Sequence, residues 1–343
     1  MTLHVSVQDP ARTLDVDFEV ASGTVTAILG PNGAGKSTIL DVVAGVHTCA
    51  NRVVLDGDDI SKRATYERSV ALLDQDATLF PHLNVLDNVA FSPRCRGASK
   101  PRARAAAREW LDVVGMGDFA QREPAQLSGG QAQRVAIARA LAAEPEVILL
   151  DEPMAALDTT AVPEIRAVLR NVLHSTTALL VTHDPLDALT LADSAVVIEH
   201  GRVAEQGPVR EVLTSPRSAF AARLAGINFI TGRIDAEGDL ESDRGTVVGV
   251  PDGPLASGAA AVAVFSPAAV AVFLSRPTGS PRNVFAVTIE GVEPTGSGVR
   301  VHAGSLHADV SLSSAAELDL TQGTRVHFVV KAAETRLYTL LGA

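Results

Sequence analysis

The sequence contains Gly30-Pro31-Asn32-Gly33-Ala34-Gly35-Lys36-Ser37, directly after the apolar run at 25–29. The spacing G-x-x-x-x-G-K-[ST] between a predicted strand and a predicted helix is that of a phosphate-binding loop. Its glycines let successive backbone N–H groups converge on phosphate oxygens, and the helix that follows directs its positive end toward them. Lys36 is placed to reach terminal phosphates and Ser37 to bind Mg²⁺. This stretch predicts a nucleotide-binding α/β domain.

The whole sequence divides into two parts with different residue patterns. Residues 1–229 alternate short β-branched runs with Ala-, Leu- and Arg-rich runs, a pattern typical of an α/β sheet. Residues 230–343 contain short alternating runs separated by Gly, Pro and Ser, which predict a small all-β domain. We therefore place a domain boundary at 229/230. Strands are predicted at 25–29, 53–55, 70–73, 147–150, 178–182, 195–198, 245–250, 261–264, 285–290, 298–302 and 325–330, and helices at 103–114 and 130–143.

The composition is that of an ordinary globular chain. The 343 residues are 46% hydrophobic and 20% charged, and the formal net charge of -11 gives no basic footprint for nucleic acid. The Ala/Val-rich stretch at 258–274 is interrupted by Ser266-Pro267, so it predicts two short strands rather than a membrane span. Cys49 and Cys95 lack metal-ligand spacing and are predicted to be free thiols. With no visible signal peptide, we expect a cytosolic chain.

Two carboxylates end a second apolar run. Residues 147–150 are all Val, Ile or Leu, and Asp151 and Glu152 follow them. A carboxylate at this point suits Mg²⁺, and a second one suits the orientation or deprotonation of an attacking water. Asp151 is predicted for the first role and Glu152 for the second. Behind a phosphate-binding loop, this order predicts nucleotide hydrolysis.

A further stretch, Leu127-Ser128-Gly129-Gly130-Gln131, opens an Ala-rich helix and predicts a second anion-binding helix start. Together with the phosphate-binding loop, it lies in one order with Gln75, Asp151-Glu152, Asp158 and His183. In these motifs residues 1–225 resemble the ATP-binding cassette family, in which the sequence LSGGQ is the signature. The resemblance implies a P-loop NTPase cassette with a helical subdomain at about 76–145.

The resemblance also implies a mechanism. Two copies would pair head-to-tail around two ATP molecules, with Glu152 as base, Gln75 sensing Mg²⁺ and the water, and His183 holding the γ-phosphate. The Mg²⁺ ligands would be Ser37, Gln75 and Asp151. The family often stacks an aromatic residue on adenine; here none precedes Phe18, and Arg12 is the alternative. The implied nucleotide-binding residues are Gly30, Pro31, Asn32, Gly33, Ala34, Gly35, Lys36, Ser37, Thr38, Ser128, Gly129, Gly130, Gln131 and Asp158.

A single cassette without membrane helices resembles the energy subunit of an importer whose permease is a separate chain. We then expect the chain at the cytoplasmic face of the membrane as a peripheral homodimer. An extracytoplasmic solute-binding protein would be an indirect partner. Exposed Phe80, Leu83 and Val85 would form the groove for the permease, although ordinary packing explains each of them equally well.

The C-terminal segments Ser280-Pro281-Arg282-Asn283 and Val330-Lys331-Ala332 resemble the oligosaccharide-binding-like β-barrel, called Mop or TOBE, of molybdate importer ATPases. This unit would span about 280–343. The resemblance implies import of molybdate or tungstate and a regulatory molybdate. Ser280, Arg282, Asn283 and Lys331 are candidate oxyanion ligands because they offer N–H and O–H donors with limited positive charge. The alternative for each of them is a solvated turn residue. Sulfate, ferric ion, polyamine or sugar are alternative substrates. A soluble non-transport cassette ATPase and an oxyanion sensor are alternatives of another class.

Overall fold

The computed structural model describes residues 2–296 and 298–340. The chain forms two compact units, Met1–Arg210 and Glu211–Ala343. The domain boundary at 229/230 stays a prediction.

The first unit contains ten strands and seven helices among its described residues. The strands are β1 (Thr2–Asp9), β2 (Leu14–Ala21), β3 (Val25–Leu29), β4 (Ala50–Leu55), β5 (Asp58–Asp59), β6 (Val70–Leu73), β7 (Val147–Asp151), β8 (Thr177–Val181), β9 (Ser194–Glu199) and β10 (Arg202–Pro208). The helices are α1 (Lys36–Ala44), α2 (Val85–Val89), α3 (Phe91–Cys95), α4 (Lys100–Val113), α5 (Gly129–Ala142), α6 (Val162–Leu173) and α7 (Pro185–Leu191).

A mostly parallel sheet forms the centre of this unit, in the order β10-β9-β3-β8-β7-β6. Only β10, at one edge, is antiparallel to its neighbour. Strands β3, β7 and β8 are buried at every position, as expected of strands covered on both faces. Because the carboxyl ends of parallel strands share one edge, the segments that follow β3, β6, β7 and β8 converge there.

A second sheet and a helical segment complete the unit. The antiparallel sheet has the order β2-β1-β4-β5, and its apolar side packs into the same core as α1. Helices α2 to α5 lie between β6 and β7 in the chain. Helix α4 buries Ala103, Ala107 and Leu111, which lie on one face at a spacing of four residues. The apolar core of this segment continues to β7 and α6.

The second unit is all-β apart from short helices. After α8 (Val209–Thr214), which begins at the end of the first unit, the helices are α9 (Ala219–Ala225) and α10 (Leu312–Glu317). The strands are β11 (Asn228–Ile234), β12 (Leu240–Ser242), β13 (Gly245–Val247), β14 (Val250–Pro251), β15 (Ala260–Phe265), β16 (Ala271–Phe273), β17 (Asn283–Thr288), β18 (Gly291–Pro294), β19 (Val299–Ala303), β20 (Leu306–Val310), β21 (Arg325–Val330) and β22 (Arg336–Thr339).

These strands form three small sheets, in the orders β13-β12-β11-β15-β22-β14, β16-β21-β17 and β18-β19-β20. They enclose an apolar core that includes Phe285, Val301 and Phe328, and Val262, Val264 and Tyr338 form a smaller apolar cluster. The stretch 258–274 forms β15 and β16, separated by a turn that opens at Ser266-Pro267, which confirms the prediction of two short strands. No helix in residues 2–296 and 298–340 is long and apolar enough to cross a membrane.

Candidate active site

A cavity of about 810 Å³ lies where the segments after β3, β6, β7 and β8 meet. It is lined by Arg12, Asn32, Gly33, Gly35, Lys36, Ser37, Thr38, Gln75, Asp151, Glu152, Val181 and His183. The cavity thus brings most of the predicted phosphate-binding loop together with the predicted catalytic residues, although Gln75, Asp151 and His183 are far apart in sequence.

The loop reaches α1 through a glycine at which a larger residue would be strained. Gly35 has a φ of +96°, and an added Cβ would lie 2.8 Å from a methyl carbon of Leu14. This left-handed residue lets the chain turn directly into the first turn of α1, whose N–H groups face the loop. The helix start is therefore available to an anion.

Lys36 is buried, and its ammonium group lies against the loop itself. Its Nζ donates to the carbonyl oxygens of Gly30 at 2.8 Å and Pro31 at 3.0 Å. Burial lowers the pKa of Lys36, while the negative charges of Glu152 and Asp151 oppose that shift. A buried cation near the phosphate-binding backbone is a suitable partner for a phosphate group.

Asp151 ends β7 and is 6% exposed. Burial raises the pKa of its carboxyl, a hydrogen bond with the Ser37 hydroxyl lowers it, and the charge of Glu152 raises it further. Ser37, in the first turn of α1, and Asp151, at the end of β7, thus present two oxygen ligands to the cavity. Such hard oxygen donors suit Mg²⁺.

Glu152 and His183 face each other. Glu152 Oε1 lies 3.3 Å from His183 Nδ1, and the Glu152 side chain is 19% exposed while that of His183 is 69% exposed. Glu152 has a φ of +44°, in the left-handed region that is uncommon for a non-glycine residue. Its N–H donates to the carbonyl oxygen of Val181 at 3.0 Å, which fixes this conformation at the end of β7. A carboxylate and an imidazole so placed can orient and deprotonate a water.

The signature residues form a separate, exposed group. Ser128 caps α5: its Oγ accepts from the Gln131 N–H at 3.3 Å, and Gln131 Oε1 accepts from the Ser128 N–H at 3.1 Å. Asp158 accepts from Thr160 Oγ1 and the Ala161 N–H, which lower the pKa of its carboxyl. Neither Asp158 nor any residue of 128–131 lines the cavity described above.

Arg12 lines the cavity. In the sequence it is a candidate only because no aromatic residue precedes Phe18 to stack on adenine. Its Nη1 donates to Thr38 Oγ1 at 2.6 Å, which joins the loop after β1 to the first turn of α1. The structure therefore places Arg12 beside the predicted nucleotide site, and adenine stacking by this residue stays a prediction.

Of the three apolar residues predicted to form the permease groove, two are partly exposed and one is buried. Phe80 and Leu83 are half-buried, and Leu83 lines a second cavity of about 540 Å³ together with Phe91 and Arg94. Val85 is fully buried, so its prediction as an exposed groove residue is wrong. It is the first residue of α2, and its side chain packs into the helical core instead.

The predicted oxyanion ligands occupy one end of the β17–β21 pair. Ser280, Arg282 and Lys331 are exposed, and the register Asn283↔Val330 places Arg282 beside Lys331. Asn283 itself is 1% exposed. Its Oδ1 accepts from the Val248 N–H at 2.8 Å, and its Nδ2 donates to the Val248 carbonyl at 2.8 Å and to Thr335 Oγ1 at 3.2 Å. Both of its N–H donors are thus used inside the unit.

We expect Asn283→Ala to lower the free energy of unfolding by about 1–3 kcal/mol, because it leaves the half-buried N–H and carbonyl of Val248 without their partner. Urea unfolding of the full chain, followed by far-UV circular dichroism, measures this loss. Arg282→Ala is the matched control: its side chain is exposed, so its effect should stay within about 0.5 kcal/mol. Equal losses in the two variants would contradict the structural role of Asn283.

Comparisons with known proteins match both parts of the chain. The family model described as ABC transporter matches residues 13–155, and the model described as TOBE domain matches residues 279–337. The molybdenum import ATP-binding protein ModC of Mycobacterium tuberculosis is 48% identical, covering 95% of this chain and 94% of that protein. The sulfate/thiosulfate import ATP-binding protein CysA of Burkholderia mallei is 38% identical, covering 90% and 88%.

Solved structures of the cassette MJ0796 are similar to the first part of the chain. The dimeric structure of this bacterial ABC transporter cassette has a TM-score of 0.56 at 29% identity, covering 61% of this chain and 99% of that one. A dimeric post-hydrolysis state of MJ0796 with ADP and phosphate has the same TM-score at 30% identity and the same coverage. The predicted fold class, a cassette followed by a small all-β domain, is confirmed. The family model spans the phosphate-binding loop and Glu152, and the similarity to ModC extends over nearly the whole chain. The chain therefore belongs to the ABC transporter family as an ATP-binding cassette ATPase.

Proposed function

We propose that this chain hydrolyses ATP to energise the import of molybdate or tungstate through a separate membrane permease. The observation that carries the proposal is the 48% identity to ModC, a molybdenum import ATP-binding protein, across both domains. The sulfate importer subunit CysA is less similar, at 38% identity. The cavity supports the catalytic part, because Lys36, Asp151, Glu152 and His183 all line it. Those residues argue against an oxyanion sensor without ATPase activity.

In this proposal the phosphates of ATP lie on the N–H groups of the loop and the start of α1. Lys36 leaves the carbonyl oxygens of Gly30 and Pro31 for the terminal phosphates, so that its ammonium group exchanges neutral acceptors for charged ones. Glu152 orients and deprotonates the attacking water, and His183, which faces Glu152, contacts the γ-phosphate. Gln75, at the end of β6, completes the water site.

The cavity residues also fit Mg²⁺. The Ser37 hydroxyl and the buried Asp151 carboxylate are hydrogen-bonded to one another and offer oxygen ligands, and Gln75 offers a third. Bound there, Mg²⁺ would neutralise charge on the phosphates. The raised pKa of Asp151 is consistent with a buried carboxylate that gains stability when a cation is present.

We also propose that the active form is a head-to-tail homodimer. Ser128, Gly129, Gly130, Gln131 and Asp158 carry the hydrogen-bonding groups of a second anion site but do not line the cavity of their own chain. A second copy would bring them to the γ-phosphate bound at Lys36. The exposed capping box of α5 is suited to this role, because its helix start faces solvent.

The permease would dock on the surface formed by Leu83, Phe91, Arg94 and Lys100. Phe91 is 40% exposed and packs against Phe80 with ring centroids 4.6 Å apart. The cavity there has both apolar and basic residues in its lining. This combination suits an amphipathic cytoplasmic helix of a membrane protein. Docking there would place the chain at the cytoplasmic face of the membrane, with a solute-binding protein acting on the far side.

In the second unit, Arg282 and Lys331 form the charged part of a proposed regulatory molybdate site. Their register on β17 and β21 brings two cations to one strand end, with Ser280 nearby in sequence. An oxyanion of charge −2 is well matched by two cations and a few hydroxyl or N–H donors. Binding there would favour the state in which the cassettes are apart, which requires a difference in affinity between the two states.

We expect vesicles containing the full chain and its permease, with the solute-binding protein supplied on the far side of the membrane, to accumulate molybdate only with ATP. Tungstate should compete, and sulfate should compete much less because it is smaller. As molybdate rises on the cassette side, ATP turnover should fall. The measurements are uptake of labelled molybdate and release of phosphate in one preparation.

Two variants serve as controls for this experiment. Lys36→Ala should abolish both uptake and hydrolysis, whereas the double variant Arg282→Ala/Lys331→Ala should lose the inhibition by molybdate. Uptake of sulfate in preference to molybdate would overturn the assigned substrate. Inhibition that persists in the double variant would overturn the regulatory site but not the transport function.

A further inference from the structure

Three side chains with metal-binding atoms lie close together outside the lining of the proposed nucleotide cavity. They are Asp9, at the end of β1, and His47 and Cys49, in the segment between α1 and β4. One carboxylate oxygen, one imidazole nitrogen and the thiol sulfur all lie within 4.8 Å of one another. Within residues 2–296 and 298–340 this is the one group of three or more His, Cys, Asp or Glu residues that meets this geometry.

The fold brings these residues together through the pairing of β1 with β4. In that antiparallel register Gln8 lies opposite Ala50, so Asp9, the last residue of β1, comes level with Cys49, which directly precedes β4. His47 lies just beyond the end of α1, where its N–H donates to the Asp41 carbonyl at 3.2 Å. Both flanks are therefore anchored by regular structure, and a site built on them would be rigid.

Hydrogen bonds orient the ligand atoms. Asp9 Oδ2 lies 2.8 Å from His47 Nε2, and Asp9 Oδ1 accepts from the Ala11 N–H at 3.2 Å. The Asp9 side chain is 9% exposed and that of His47 is 28% exposed, while Cys49 is half-buried. The group is enclosed enough to fix its geometry and open enough for an ion to enter.

The charges nearby also permit a cation. Arg12 Nε lies 3.9 Å from Asp9 Oδ2, but its Nη1 is bonded to Thr38 and points to the other cavity. A thiolate and a carboxylate together balance an ion of charge +2. Their chemistry selects among ions: sulfur and imidazole ligands favour Zn²⁺ and similar transition metals over Mg²⁺ and Ca²⁺.

We propose that Asp9, His47 and Cys49 form a transition-metal site of the Zn²⁺ class, with a fourth position open to water. Zn²⁺ takes Cys sulfur, His nitrogen and carboxylate oxygen ligands, and zinc sites with an open position have three protein ligands and a water. His47 exchanges its bond to Asp9 for the metal, and Cys49 loses its proton to solvent as the ion binds. This site is independent of the proposed transport function.

The test titrates Co²⁺ into the full chain, untagged, stripped of metal and free of nucleotide. We expect one equivalent to produce a near-ultraviolet thiolate-to-cobalt charge-transfer band together with the visible bands of a tetrahedral ion, and Zn²⁺ to remove both. Cys49→Ser should abolish the charge-transfer band. Cys95→Ser is the matched control and should keep it, because Cys95 is an exposed thiol in α3.

Further variants assign the other ligands. Competition with a chromophoric chelator should show Zn²⁺ affinity reduced by at least about 10-fold in His47→Gln and in Asp9→Asn. Asp151→Asn should leave the cobalt spectrum unchanged, since that residue belongs to the proposed Mg²⁺ site. Circular dichroism of each variant shows that it is folded. Absence of the charge-transfer band in the unmodified chain, its persistence in Cys49→Ser or its loss in Cys95→Ser would each overturn the proposal.

Discussion

Glu152→Gln should lower ATP turnover by a factor of about 100 or more while ATP still binds. Glutamine has the size and hydrogen-bonding reach of glutamate, so the contact with His183 Nδ1, 3.3 Å from Oε1, can remain. What is lost is the ability to accept the proton of the attacking water. The phosphate-binding groups of Lys36 and the loop are unchanged. Because hydrolysis is slowed after assembly, the variant should accumulate as a nucleotide-trapped dimer.

The measurements for this variant are steady-state phosphate release and equilibrium binding of a fluorescent ATP analogue. Glu146→Gln is the matched control: it makes the same charge change just before the opposite end of β7, at an exposed position. Its turnover should equal that of the unmodified chain. If Glu152→Gln turned over as fast as Glu146→Gln, Glu152 would not be the base.

The central sheet could be predicted because its signals are local. Strand β3 occupies the predicted 25–29, since a parallel strand buried on both faces is a continuous apolar run. The half-buried edge strand β6 occupies the predicted 70–73. The convergence of the phosphate-binding loop with Asp151 and His183 then follows from parallel pairing alone. The N-terminal hairpin was not predicted. Its strand β2 alternates buried and exposed residues along its whole length, a period-two signal present in the sequence.

Other features could not be predicted because they depend on pairing between distant segments. The approach of Asp9 to Cys49 needs the register of β1 on β4, and no spacing rule links residues forty positions apart. The sequence shows Cys49 only as a thiol without a nearby partner. Likewise Val85 and Asn283 have residue types that suit both a surface and an interior role. Only the packing of α2 and the bonds of Asn283 to Val248 decide between them.

We expect Ser128→Arg to abolish ATP-dependent dimerisation. The reason is steric and electrostatic: a long cation at this position would enter the γ-phosphate site of the partner chain. ATP binding to the isolated chain should remain, because Ser128 does not line that chain's own cavity. The variant also loses the hydrogen bond that the Gln131 N–H donates to Ser128 Oγ. Loss of such a cap costs about 1 kcal/mol, too little to unfold the helix.

Light scattering coupled to size-exclusion chromatography, with ATP and in the Glu152→Gln background, measures the dimer directly. Ser99→Arg is the control, since it adds the same side chain at another exposed helix start of the helical segment, where the serine makes no side-chain cap bond. We expect Ser99→Arg to dimerise with ATP and Ser128→Arg to stay monomeric. Dimerisation of both would mean that the signature residues lie outside the interface, and the second anion site at α5 would then need another ligand.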